Sequence, residues 1–564
     1  MENCLYSLSG FNFYFKGNIL LLFLLLCGIS LQSQIIPNPE VMNMNSESFM
    51  FDSKVGLVYK NLSKADRGFL IPYLKKSIEK ESGIIVDTGK KQPKNIILEI
   101  NTKSAREQND ESYQLYIDRT KIHLRANSYE GLFYATQSFL QYFTFYNTSI
   151  PVKLPGLTVY DKPAVNWRGM MLDVSRHFYS VEAIKRVLDL IAYYKLNVFH
   201  WHLTDNEGWR IQIKKYPKLT TIGAWRNEIP GSIFYKKDSS YTKPLAIEPY
   251  PYGGFYTQQQ IREVVEYARQ RGVMVIPEID LPGHSAAALT AYPEYSCEGY
   301  RHPAPNSTLW NGKVDTDKVN FNYCPGKESS FIFIEDILTE VMELFPSRYI
   351  HIGGDEVDKQ YWQRCDECQQ RMHSERLKDE NELQSYFLKR VTSFLEKNNR
   401  TVIGWDDILE GGAPESAIIM SWRGEKGAIN GAKQNHHVIM SPSNPFYFNR
   451  YQDDPAKEPL AASYSINTLQ RVYEYNIWPE QLDENGKGLI KGGQFAVWTE
   501  FISSLEHLEY MLLPRLPAFS ENLWSLDQRK NYNDFIKRLN QGHYDVWKRS
   551  GIRFHPKYYN KSDY

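Results

Sequence analysis

Tyr349-Ile350-His351-Ile352-Gly353-Gly354-Asp355-Glu356-Val357 reads as a short buried strand that stops at two glycines and hands over to two adjacent carboxylates. Neighbouring side chains of a strand point to opposite faces. Asp355 and Glu356 can therefore meet at one site only where the chain leaves β geometry, which the glycines permit. Two carboxylates held close do not both ionise easily, so one becomes a proton donor beside a charged partner, the outline of general-acid chemistry. Taken alone, an acidic pair is more simply a cap on the helix that follows. The rest of the chain decides between the two readings.

Outward from this stretch, short apolar runs alternate with helical stretches after Asp161-Lys162-Pro163. Candidate strands are residues 169–172, 197–200, 273–276, 349–352, 401–403, 418–420, 438–440 and 494–497. Eight such units predict a (β/α)8 TIM barrel over residues 161–564. Each run ends in polar and aromatic residues. In order these are Asp173 to His177, Trp201 to Asp205, Glu278 to His284, the acid pair, Trp405-Asp406-Asp407, Ser421-Trp422-Arg423, Phe446 to Arg450 and Trp498-Thr499-Glu500. The carboxyl ends of the strands are where barrel enzymes carry their chemistry, and eight coincidences of this kind are not chance. The intervals after the second and third strands are long and rich in Gly, Pro and Tyr, which predicts extended loops over that face. Residues 35–160 mix strands, such as 94–100 and 113–117, with a helix over 129–142, which predicts a small α+β domain ahead of the barrel.

The 564 residues suit a barrel plus a smaller domain. Lys+Arg and Asp+Glu number 66 each, so no basic field points to nucleic acid or to an anionic membrane. Lys16 and the apolar run 19–26, too short to span a bilayer, predict a cleaved secretory signal over residues 1–33 and an exported protein, periplasmic, surface-bound or secreted. Membrane attachment would require lipidation at Cys27, whose preceding leucines do not fit the usual pattern. In an exported chain the even set Cys297, Cys324, Cys365 and Cys368 suggests disulfides, with Cys297–Cys324 as one bridge across a long loop. Cys365-x-x-Cys368 is ambiguous, because a zinc site needs two more ligands and the sequence shows no second pair. Sequons at Asn61, Asn147, Asn306 and Asn560 would matter only in a eukaryotic secretory pathway.

Several of these segments together resemble the family 20 glycoside hydrolases, the β-N-acetylhexosaminidases. The matching motifs are His351-x-Gly353-Gly354-Asp355-Glu356, Trp167-Arg168-Gly169 through Arg176-His177, His200 to Asp205, Pro282-Gly283-His284 and Trp498-Thr499-Glu500. The resemblance implies an exo-acting retaining hydrolase for terminal β-linked N-acetylglucosamine or N-acetylgalactosamine on an oligosaccharide or glycoconjugate, with no cofactor and no metal. In that family the substrate's own acetamido oxygen attacks the anomeric carbon. Glu356 would then be the general acid and base, and Asp355 would hold the acetamido N–H. Asp205 and His284 would form a relay behind Glu356, and Tyr447 would donate to the acetamido carbonyl. Trp405, Trp422 and Trp498 would box the sugar, and Arg176 and Glu500 would bind its remote hydroxyls. One departure stands out, for Tyr447-Phe448-Asn449-Arg450 replaces the commoner Tyr-x-Asp. An Asn-Arg pair is similar to the animal lysosomal subunit type that accepts sulfated sugars, and it implies tolerance of 6-O-sulfated N-acetylglucosamine through Asn449 and Arg450. The competing expectations are a barrel that binds carbohydrate without catalysis and a metal-dependent hydrolase using His351, Asp355 and Glu356. Against the second, His351 sits inside a strand and need not face the acids.

Overall fold

A computed structural model describes residues 34–89, 91–102, 110–147, 151–226, 252–297 and 321–559. The signal with Cys27, the middles of the two long barrel loops, and the sequons at Asn306 and Asn560 lie outside the described residues. No described helix is long and apolar enough to cross a membrane.

The N-terminal domain is a seven-stranded mixed sheet built from β1 (Val41–Met50), β2 (Lys54–Lys60), β3 (Ile85–Thr88), β4 (Asn95–Ile100), β5 (Tyr113–Ile117), β6 (Lys121–Ala126) and β7 (Lys153–Asp161). Its spatial order is β1-β7-β5-β6-β4-β2-β3. Two helices pack on it, α1 (Lys64–Ser82) and α2 (Tyr129–Tyr146). Ser63 starts α1 by accepting from the Asp66 N–H, and Gly83, at φ 70°, ends it in the left-handed conformation that favours glycine. Most of α2 is buried, since its far side meets the barrel. There Lys195 Nζ sits 3.2 Å from Asp161 Oδ2 with both side chains fully buried, and Arg168 pairs with Glu111 at 2.8 Å. Buried charges of this kind are tolerated only when paired.

Eight parallel strands close the barrel. They are β8 (Trp167–Asp173), β9 (Val198–His202), β10 (Met274–Glu278), β11 (Tyr349–His351), β12 (Thr401–Trp405), β13 (Ile418–Ser421), β14 (Val438–Met440) and β15 (Ile490–Val497), with β15 paired back onto β8. The apolar runs read from the sequence correspond to these strands, with ends that differ by up to a few residues. Helix α3 (Val181–Tyr193) shows why the outer layer forms. Ser180 caps it, and Val181, Ile184, Val187, Leu188 and Ile191 recur at helical spacing along the face it buries. Helix α4 (Gln258–Arg269) opens with a full capping box between Thr257 and Gln260. Below the strand tips the barrel core is unusually polar. Glu278 takes His200 Nε2 and His351 Nδ1, each at 2.9 Å, and accepts from Trp405 Nε1 at 3.0 Å. His351 thus points into the barrel and gathers with His200 and Glu278, not with the acid pair.

The cysteines correct the sequence reading. All four are free and buried, and the Cys297–Cys324 bridge is not formed. The loop after β10 folds back so that Cys297 and Cys324 meet Cys365 and Cys368 in one cluster. Two more ligands do lie beside the Cys365-x-x-Cys368 pair, brought there by the fold from far along the chain.

Candidate active site

At the tip of β11 the backbone turns out of the sheet at Gly353 (φ 66°) and Gly354 (φ 97°). A Cβ on Gly353 would collide with the Asp280 side chain and one on Gly354 with Ile408, so both positions require glycine. The turn leaves Asp355 8 % exposed in the wall, whereas the Glu356 side chain is 61 % exposed. Glu356 (φ 50°) and His284 (φ 48°) both hold left-handed conformations rare for their residue types, strain of the sort that accumulates at functional sites.

His284 joins the acids to the barrel. Its Nε2 lies 3.7 Å from an oxygen of Asp355 and 3.7 Å from one of Glu356, and its Nδ1 is 3.1 Å from Asp205 Oδ1. Asp205 Oδ2 lies 2.9 Å from His202 Nε2 and 2.9 Å from Arg176 Nη2. His202 in turn bonds Glu278 through Nδ1. Glu278, His202, Asp205 and His284 therefore run as a single chain from the barrel core to the acid pair. Burial works against the charged forms all along it, but the partners win. Asp205 is held well below the usual carboxylate range by Arg176 and His284, and His284 well above the usual imidazole range by Asp205.

Asp355 behaves differently. Burial pushes it up to about 7, against the pull of His284 and with help from Asp407 and Glu356. Its Oδ1 is buried without a hydrogen-bond partner. Burial likewise pushes Glu500 up to about 7, although Arg176 pulls the other way, and Glu500 Oε2 has no partner either. Unpaired buried acceptors facing a cavity are vacancies that a ligand's N–H or O–H donors can fill.

The cavity, about 560 Å³, is lined by Arg176, Asp205, His284, Asp355, Glu356, Trp422, Tyr447, Asn449, Arg450, Trp498 and Glu500 among others. The structure thus brings together every residue singled out from the sequence except Trp405. That indole is 1 % exposed and lies beneath Trp498, ring centroids 5.9 Å apart, as floor to the site. Trp422 is aimed by its Nε1 donating to Asp407 Oδ2 at 2.8 Å, and its ring runs parallel to Tyr447 within 14°. Arg176 spreads its guanidinium over Asp173, Asp205 and Glu207 and lies 5.0 Å above Trp498. Beside Asp355 sits Asp280, which burial and then Asp355 itself hold well above the usual carboxylate range.

Glu278, His202, Asp173, Glu207 and Asp280 were given no role from the sequence. All but Glu207, which lies in the turn after Asp205, stand at the same strand ends as the residues singled out, and that position was the available signal. What hid the role of the first four is that each bonds other protein groups, whereas both carboxylate oxygens of Asp280 are buried without a hydrogen-bond partner among the described residues.

A closed parallel barrel carrying an acid pair, an imidazole and aromatic platforms at the carboxyl ends of its strands is the layout of a barrel hydrolase. Within that class the chain belongs to glycosyl hydrolase family 20. The family's catalytic-domain model matches residues 165–527, and its domain 2 model matches residues 32–162. A β-hexosaminidase of Porphyromonas gingivalis is 40 % identical over 512 residues, 90 % of this chain and 62 % of that protein. One of Vibrio furnissii is 37 % identical over 72 % of this chain and 64 % of its own length. The chain thus spans somewhat under two thirds of these curated relatives. Among solved structures, the exo-β-N-acetylglucosaminidase of Vibrio harveyi in complex with N-acetylglucosamine superposes with a TM-score of 0.80 at 32 % identity, covering 94 % of this chain and 79 % of that one. The β-N-acetylhexosaminidase of Bacteroides fragilis gives 0.75 at 28 % identity, covering 93 % and 97 %.

Proposed function

We propose that the protein is an exo-acting retaining β-N-acetylhexosaminidase that releases terminal β-linked N-acetylglucosamine or N-acetylgalactosamine, with the substrate's 2-acetamido oxygen as nucleophile. The observation that carries this reading is the unequal acid pair on one imidazole. A direct double displacement places its two carboxylates on opposite faces of the glycosidic bond. Here both approach the same His284 nitrogen from adjacent positions in the chain. Exposed Glu356 reaches the leaving oxygen and gives it a proton while the acetamido oxygen bonds to the anomeric carbon. Buried Asp355 accepts the acetamido N–H and offsets the positive charge that develops there. Tyr447 donates its hydroxyl to the acetamido oxygen. Water then loses a proton to Glu356 and attacks the anomeric carbon, and the acetamido bond breaks with retention. A barrel that only bound sugar would have no use for an exposed acid set beside a buried carboxylate on one imidazole. The names of the relatives support the sugar class. Release of chromophore from an aryl N-acetyl-β-glucosaminide, blocked by a thiazoline mimic of the cyclised intermediate, tests the reading. No turnover of either gluco or galacto substrates would favour the binding barrel.

The titration of Asp355 and Glu500 gives this reading a pH signature. Both must be ionised to receive the sugar, and both take up protons as pH falls through about 7 in the empty site. The acid limb of kcat/KM is therefore expected near pH 7. That of kcat should lie lower, because a cationic intermediate and sugar hydroxyls favour the charged carboxylates. Coincident acid limbs in rate–pH profiles would contradict this assignment.

We further propose that the site accepts 6-O-sulfated N-acetylglucosamine and that the chain is exported, the latter on the apolar run 19–26 behind Lys16. Arg450 supports the former. It lines the cavity, its Nε is buried without a partner and its Nη1 donates to neutral Ser465, and its guanidinium stands 5.4 and 5.6 Å from the rings of Tyr447 and Tyr464, with no carboxylate paired to it among the described residues. Asn449 Oδ1 is also buried without a partner. Arg450→Ala is expected to lower kcat/KM on a 6-sulfated aryl glycoside by roughly 10- to 100-fold, and on the neutral sugar by less than about threefold. Equal losses on both substrates would remove the sulfate assignment.

A further inference from the structure

The four-cysteine cluster beneath the acid-bearing loop is not used by the proposed chemistry. Cys297, Cys324, Cys365 and Cys368 are 0–5 % exposed, and their sulfurs all lie within 4.8 Å of one another. Three of the separations are 3.5, 3.7 and 3.8 Å. Four thiolates at about 2.3 Å from a tetrahedral zinc ion would stand about 3.8 Å apart. Two disulfides would instead draw the sulfurs together in pairs, each pair bonded at about 2.05 Å. Near-even spacing is what one shared ion demands.

The backbone is built around the same point. Cys365 caps helix Asp366–Glu375 and Cys368 lies in its first turn, so the pair presents both sulfurs at the positive end of the helix, which favours thiolates. Opposite it, the bridge between Ser296 and Tyr323 and the Cys324 N–H donating to Tyr295 O at 2.9 Å hold Cys297 and Cys324 side by side. Cys324-Pro325-Gly326 then turns so tightly over the helix start that a Cβ on Gly326 would strike the backbone of Glu367 and Cys368. Only glycine lets the two segments close on a common centre.

We propose that these four cysteines bind one structural zinc ion. Binding takes the proton from each of four thiols and leaves a tetrathiolate centre with no change of oxidation state. The ion would tie the loop after β10 to the segment after β11, and both carry the active cavity. Asn322, two residues before Cys324, lines the cavity and donates Nδ2 to Asp358 O at 2.6 Å, and Trp362 Nε1 donates to Tyr323 O at 3.1 Å. The zinc is therefore a brace for the loop that presents Glu356, remote from the reacting atoms.

The test uses the full chain, purified without chelator, reductant or added metal. Native mass spectrometry is expected to show about one zinc per chain, and titration in denaturant with EDTA about six thiols, the four of the cluster with Cys4 and Cys27, or about four where residues 1–33 have been removed. Stripping the metal should lower the unfolding midpoint by roughly 5 °C or more, with zinc chloride alone restoring it. Cobalt(II) in its place should give thiolate charge-transfer absorption. Cys365→Ser with Cys368→Ser should lose the metal; should that variant not fold, the wild-type metal and thiol counts decide alone. Two disulfides without metal, four thiols that hold no zinc and take none up, or a stoichiometric metal other than zinc would each overturn the proposal.

Discussion

Glu356→Gln is expected to lower kcat/KM by about 10³- to 10⁴-fold on an oligosaccharide, whose leaving sugar must be protonated as it departs, roughly 4–5.5 kcal/mol of transition-state stabilisation. The loss should shrink to less than about 100-fold on an aryl glycoside whose acidic phenol leaves without a proton. This pattern follows from exposure, because Glu356 is the acid that reaches the cavity's open side while His284 and Asp205 stand behind it. Glutamine keeps the size and the left-handed turn but has no proton to give. A uniform loss across leaving groups, measured along a phenol series, would assign Glu356 to binding and return the question of the acid to Asp355.

Asp355→Asn should behave in the opposite way. In the proposed reaction the cyclised intermediate forms whatever the leaving group, so the loss, about 10²- to 10³-fold, is expected to be the same for sugar and phenol aglycones. Affinity for the thiazoline should fall with it. The variant also carries a stability signature with a definite sign. Burial raises Asp355 from its ordinary 3.8 to about 7, so the fold favours the protonated form, and wild type loses stability as pH rises from about 4 through 7. Asparagine is neutral throughout. Its Tm is expected to exceed that of wild type by roughly 2–5 °C at pH 8 and to match it at pH 4, as read by thermal unfolding. Wild-type activity in Asp355→Asn, or a stability gain at low pH in place of high, would contradict the role of Asp355.

The barrel was legible because each buried strand announced itself twice, by an apolar run and by the polar or aromatic residues at its end. The acid pair was legible because Gly353 and Gly354 have no other reason to interrupt an apolar strand. What escaped the sequence was what three-dimensional closure alone creates. Glu278 reads as one more acid at a strand end, and only the closed barrel shows it holding His200, His202 and His351 together. Trp405 carries the same strand-end signal as Trp422 and Trp498, yet its hydrogen bond to Glu278 draws it under the site. The cysteines misled for a related reason. Cys297 and Cys324 are close enough in sequence to suggest a bridge, but the loop between the third and fourth strands carries them to a helix about forty residues further on.

The proposed reaction has the substrate's acetamido group as nucleophile, and a substituent series tests that most directly. Aryl β-glucosaminides bearing N-acetyl, N-fluoroacetyl, N-difluoroacetyl and N-trifluoroacetyl groups have acetamido oxygens of falling nucleophilicity and the same leaving group. If that oxygen attacks the anomeric carbon with Asp355 behind its N–H, kcat/KM should fall steeply at every fluorine added, by roughly 10³-fold or more across the series. A flat series, with a glycosyl group trapped on a protein carboxylate, would contradict it.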